Sequence, residues 1–199
     1  MVSLADEIRA CTRCPLHAKQ EPGALHVPGI AGANYQRGGI AVLCEAPGYY
    51  EAKDGEPLVG KSGQLFDNLL ERAGLDRRCL FLTNTVRCRP PNNRIKDYPE
   101  AVFACGDWTA KEFAAYEPRV VVLMGATALG NIFGADARVG TTRGTLTATN
   151  AKHAWGARVF VASYHPSAAI YGGGIDSEVG EFIVQDLATA KAVWSGLAS

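Results

Sequence analysis

Ile40-Ala41-Val42-Leu43 runs without a break into Cys44-Glu45-Ala46-Pro47-Gly48-Tyr49-Tyr50-Glu51, and on to Glu56-Pro57-Leu58-Val59-Gly60-Lys61-Ser62-Gly63. The first four residues are apolar and β-prone. Beyond the stretch, Leu65, Phe66, Leu69 and Leu70 fall on one helix face, so what lies between reads as a strand-to-helix loop. Connections this long in compact domains are usually functional or disordered. The strand signal returns at Cys79 to Leu82, Val120 to Leu123 and Val159 to Ala162, roughly forty residues apart, which leaves room for a crossover helix each time. Near-continuous apolar runs mark strands buried on both faces. The pattern predicts helices over Ser62 to Ala73, Tyr98 to Tyr116 and Thr127 to Phe133, with a last one inside Asp176 to Ser195. Gly74 would close the first of these, and Ser3 would cap a short helix reaching Arg9. The expected fold is therefore α/β, a three-layer α/β/α sandwich around a mainly parallel four-stranded sheet, with residues 1–199 forming a single domain.

A polar or small residue follows each strand: Glu45, Asn84, Gly125 and His165. All four belong on one edge of the sheet. Ligands of open parallel sheets bind outside the carboxyl ends of the strands, so these loops should meet at one pocket. Gly55 to Ser62 also spells the phosphate-loop pattern of nucleotide hydrolases, but it starts about ten residues after its strand, and no later strand ends in the aspartate that would hold magnesium. We read it as coincidence.

The 199 residues are 47% hydrophobic and 20% charged, with a net charge of zero, so there is no general attraction to polyanions. Any nucleic-acid surface must be local, and Arg87, Arg89, Arg94 and Lys96 form the densest basic group. No apolar run is long enough to span a membrane, and Met1 to Ala10 lacks a hydrophobic signal segment; the expectation is a cytoplasmic monomer without a membrane partner. Of six cysteines, Cys44 and Cys79 sit at strand ends and read as packing residues. Cys11, Cys14, Cys88 and Cys105 remain, one tight pair and one wide pair. Four thiolates suit zinc or an iron-sulfur cluster, and the wide second gap leans toward iron and sulfur. His17, His26 and His153 have no ligand spacing and read as surface or packing residues.

Four features together, Cys44 to Gly48 with Glu51 and Pro57 to Gly63, Leu82-Thr83-Asn84-Thr85-Val86-Arg87-Cys88-Arg89-Pro90-Pro91, Met124-Gly125-Ala126-Thr127-Ala128 and His165-Pro166-Ser167, resemble the family 4 uracil-DNA glycosylases. The resemblance runs from Cys11 to about Ser167. It implies a base-excision repair hydrolase that cuts the N-glycosidic bond of uracil flipped out of DNA and leaves an abasic site. It also implies a four-iron, four-sulfur cluster on Cys11, Cys14, Cys88 and Cys105, with zinc at the same residues as the alternative. By the same resemblance His165 is the donor to the departing base, and Glu45 positions or activates water. Asn84 reads the uracil edge, Glu51 excludes the methyl group of thymine, and Ala46 and Leu58 line the base. The two glutamates are exchangeable in these roles. Arg87, Arg89, Arg94, Lys96 and Ser167 are expected against the DNA, with Ile170 or Tyr171 as a wedge in the base step.

Two departures stand out. Leu58 occupies the place of a stacking Phe, which should weaken base affinity unless Tyr49 or Tyr50 moves in, and Cys44 stands where glycine is usual. The alternative reading is a noncatalytic or altered-specificity DNA-binding relative acting on other damaged bases. The loop Asn92 to Asp97 carries no histidine that would bond covalently to the abasic product, so ordinary release is expected.

Overall fold

The structure is a computed structural model that describes residues 2–149, 154–156 and 158–198; His153 lies outside the described residues. In chain order its main elements are α1 (Leu4–Arg9), β1 (Ile30–Ala31), β2 (Ile40–Cys44), α2 (Tyr49–Asp54), α3 (Lys61–Arg72), β3 (Leu80–Asn84), α4 (Pro99–Tyr116), β4 (Val120–Met124), α5 (Ala126–Phe133), α6 (Val139–Thr142), β5 (Leu146–Ala148), β6 (Val159–Ser163), α7 (Pro166–Tyr171) and α8 (Glu178–Ala198). The sheet order is β1-β3-β2-β4-β6-β5. β3, β2, β4 and β6 are mutually parallel, as the apolar runs predict. Two short antiparallel edge strands, β1 on β3 and β5 on β6, extend the sheet to six.

Alternation along the strands divides the core into two layers. Val42, Leu82, Val122 and Val161 face α3, α7 and α8, where Phe66, Leu69, Ala169, Ile183 and Leu187 meet them. Ala41, Leu43, Phe81, Val121 and Phe160 face the other way, onto Phe113 of α4 and Ala128 and Leu129 of α5. Each of β2, β3 and β4 is buried along its whole length; β2 and β4 hold no polar residue besides Cys44, and β3 turns polar only at its carboxyl end, in Thr83 and Asn84.

The N-terminal segment forms a third cluster. Ser3 caps α1 with a reciprocal Ser3–Asp6 box, and Ile8 and Leu16 pack with Val86, Ile95, Ala101 and Trp108 around the paired cysteines. Cys44 is a packing residue, as expected, and burial pushes its thiol up. Cys79 is not. It lies in the turn before β3 and is exposed, because the strand begins one residue later.

Gly63 lets the long loop lie on the first turn of α3: a Cβ there would come within 1.8 Å of the Leu58 carbonyl oxygen. That contact presses the loop over the sheet edge. Leu58 itself sits at φ 56, a left-handed conformation that is unfavourable for a branched side chain. Gly74 follows α3 at φ 67, as a helix-terminating glycine should. Among the described residues, no helix is long and apolar enough to cross a membrane.

Candidate active site

A cleft of about 400 Å³ opens at the carboxyl ends of the parallel strands. Glu45, Ala46, Glu51, Leu58, Asn84, Gly125, His165 and Ser167 all line it, so the loops read as convergent do converge.

His165 is the N-cap of α7, with Pro166 in the first helical position, where no backbone donor is needed. Its Nδ1 accepts the Ser167 backbone N–H at 3.2 Å and lies 2.7 Å from Ser167 Oγ. A backbone amide can only donate, so Nδ1 holds a lone pair. A neutral ring then carries its proton on Nε2. Burial lowers the imidazole pKa to about 4, outweighing the opposing pull of the Glu51 carboxylate. The ring is therefore an uncharged donor at neutral pH. In an NMR titration its resonances should move near pH 4 and stay flat around 6.5, the ordinary value. Movement at 6.5 would mean a ring solvated enough to charge, and would remove the basis for this tautomer.

Asn84 ends β3 opposite Cys44 and is 3% exposed. Its Nδ2 is buried with no hydrogen-bond partner. Leaving such a donor unmatched costs about 1–3 kcal/mol, so a ligand that accepts from it recovers that energy.

The two glutamates separate clearly. Glu51 accepts from Gly48 N–H at 3.1 Å, Val59 N–H at 3.0 Å and Gly60 N–H at 2.7 Å, which ties α2 to the start of α3. These bonds also dispose of the phosphate-loop pattern, because amides that would cradle a phosphate already serve a carboxylate. Glu45 Oε2 instead accepts the Thr127 hydroxyl proton at 2.5 Å. Thr127 stands in the first turn of α5, and its position directly after β4 was the available signal for it. Gly125, at φ 90, brings that turn against His165, with only 3.3 Å between a would-be Cβ and the His165 Cβ.

The basic residues need correction. Arg87 is 1% exposed and cannot reach DNA: it donates to Glu112 at 2.6 Å, Thr109 at 2.9 Å and the Thr85 carbonyl at 3.0 Å. Arg89 is mostly internal, held by Glu21 and Asn93. Arg94 and Lys96 are on the surface, Arg94 paired with Asp97. Ser167 faces the cleft through its bond to His165, while Ile170 and Tyr171 at the end of α7 are 38% and 91% exposed. Tyr49 and Tyr50 are absent from the lining of the cleft, so neither replaces the missing stacking ring beside Leu58.

Cys88 and Cys105 are buried, and Cys11 and Cys14 half-buried beside them. Burial raises both inner thiols, and the neighbouring cysteines add to it. Donors point at the sulfurs: Trp108 Nε1–H lies 3.2 Å from Cys11 Sγ, and the Arg87 backbone N–H reaches Cys105. His17 and His26 bond to the backbone carbonyls of Cys14 and Ile8, in keeping with packing roles.

Residues 34–188 match the model of the uracil DNA glycosylase superfamily. The chain is 36% identical over 176 residues to a type-4 uracil-DNA glycosylase of Archaeoglobus fulgidus, covering 86% of this chain and 85% of that one. It is 31% identical over 193 residues to the type-4 enzyme of Thermotoga maritima, with 96% and 93% covered. With the type-4 enzyme of Saccharolobus solfataricus it shares 32% identity over 174 residues, 84% and 76% of the two chains.

Proposed function

The chain belongs to the uracil DNA glycosylase superfamily, and on that premise we propose that it hydrolyses the bond between uracil and deoxyribose on a nucleotide flipped out of DNA. The observation that carries this is the unmatched Asn84 donor in the same cleft as the uncharged Nε2–H of His165.

Uracil presents a carbonyl and an N–H along one edge, and an amide can donate to the first while accepting from the second. When the C1′–N1 bond breaks, its electron pair leaves with the base, and negative charge grows on the adjacent carbonyl oxygen. His165 Nε2–H meets that charge. As a neutral donor already fixed by Ser167, it reorganises little as the charge develops. Positive charge grows on the sugar at the same time. Glu45, oriented by Thr127, offers a carboxylate to stabilise it and to accept a proton from the attacking water. The Glu51 oxygens are occupied by backbone N–H groups, which supports giving the water to Glu45 and leaving Glu51 to shape the loop.

The four cysteines suit a four-iron, four-sulfur cluster, since N–H donors already face their sulfurs and favour bound anionic thiolates. Zinc at the same four cysteines is the alternative, since four thiolates also suit a tetrahedral structural zinc ion. Bound there, the cluster supplies a structural tether between the N-terminal segment and the loop after β3. We take the protein to act as a one-domain monomer with the DNA in the cytoplasm.

The test is single-turnover release of uracil from a labelled oligonucleotide. We expect release by the native protein and a loss of roughly ten- to a hundredfold in Asn84→Ala, as one base-edge hydrogen bond disappears. A native protein that binds the strand and releases nothing would remove the enzymatic reading.

A further inference from the structure

Beside the cleft is a second cavity of about 270 Å³, bounded by the segment around Lys19 to Ala24, by Tyr49, Ala52 and Lys53 of α2, and by Arg89 to Pro91. It is smaller than the roughly 300–1,000 Å³ usual for drug-sized ligands, and suits one planar ring. Pro22, Pro90 and Pro91 give it apolar walls. Tyr49 is half-exposed, and the Arg89 guanidinium lies 5.4 Å from its ring centroid. Glu21 and Asn93 fix that guanidinium in place at 2.7 and 3.0 Å, so it serves as a flat surface more than as a mobile charge. Lys19 and Lys53 stand exposed at the rim. Apolar walls, an aromatic and guanidinium platform and a cationic rim are the features that hold a base and its phosphate in single-stranded nucleic acid.

The two cavities adjoin. Pro90 lines both, and Asn93, which lines the cleft, binds Arg89 in the second cavity. Resting on the excision reading above, we infer that this cavity is a subsite for the base of a nucleotide flanking the uracil, stacked at Tyr49 and Arg89 with its phosphate near Lys19 and Lys53. A neighbouring base seated there offsets the weak grip expected from Leu58. It also favours uracil in unpaired DNA, where the neighbour is free to leave the stack.

The probe is a short single strand carrying 2′-fluoro-2′-deoxyuridine, whose glycosidic bond resists cleavage, with the base removed from the 5′ neighbour, from the 3′ neighbour, or from neither. The native protein should lose about tenfold in affinity when the base on one particular side is missing. Tyr49→Ala should show that loss on the intact strand and no further loss on the baseless one, while Tyr49→Phe behaves as native. Equal binding of all three strands by the native protein, or undiminished neighbour dependence in Tyr49→Ala, overturns the subsite. Uracil release from the unmodified strand is followed in parallel. If release is absent while neighbour dependence persists, the excision reading falls and the subsite stands; release without neighbour dependence does the reverse.

Discussion

His165→Ala is expected to slow uracil release by roughly 10²–10³-fold while changing affinity for uracil-containing DNA only a few-fold. The asymmetry follows from when the hydrogen bond matters. In the ground state the uracil carbonyl is an ordinary acceptor, and water or a neighbouring group replaces the imidazole at little loss. As the glycosidic bond breaks, that oxygen gathers charge in a cleft walled by Leu58, Met124 and the strand ends, where a fixed donor is worth far more. Because burial holds the ring neutral, the gain does not come from a bound cation that would grip substrate and transition state alike. Alanine also removes the N-cap of α7, worth about 1 kcal/mol, so the variant should be checked by thermal melting before its rate is read. Single-turnover rates and anisotropy titrations on the same preparation separate the two effects. A rate within a few-fold of native would leave His165 as a helix cap and move the donor role elsewhere.

The parts legible in the sequence are those where one local pattern has one physical solution. Ile40 to Leu43 and Val120 to Leu123 are apolar throughout because helices cover both faces, so both the strands and the edge on which Glu45 and His165 fall could be read directly. The edge strands could not be. Ile30–Ala31 and Leu146–Ala148 are two and three residues long and partly exposed, too short for any period to register. α2 was hidden for a different reason: Gly48 and Gly55 punctuate its six residues like a turn, and the bonds that organise it run from backbone amides eight and nine positions away to Glu51. Thr127 lay inside a recognised motif, yet its role depends on Glu45, 82 residues earlier. Residue type names a capacity; only the fold supplies the partner.

Arg87 is the sharpest case, and it carries the second large effect. Glu112→Ala is expected to destabilise the protein by about 3–5 kcal/mol, because it leaves a buried guanidinium without its counter-charge. Both side chains are 1% exposed. The Glu112 carboxylate also accepts from Thr83 Oγ1 at 2.7 Å and from the Gly29 backbone N–H at 2.7 Å, so its loss strands three donors, one of them on β3 next to Asn84. The Thr83 and Arg87 donors are buried from water, while the Gly29 N–H is only half-buried. Removing both charges together, as Arg87→Met with Glu112→Leu, should recover much of the loss, since a buried pair is offset by its own desolvation. Urea unfolding of the single and double variants measures the coupling. The same variants decide what Arg87 does for DNA. A phosphate contact would lower the slope of log affinity against log salt by about one unit when removed, whereas a buried structural charge leaves the slope unchanged in whatever fraction folds. An unchanged slope with a large fall in unfolding free energy is the expected pair of results. A reduced slope at native stability would mean that the loop after β3 opens on DNA and releases Arg87 from Glu112.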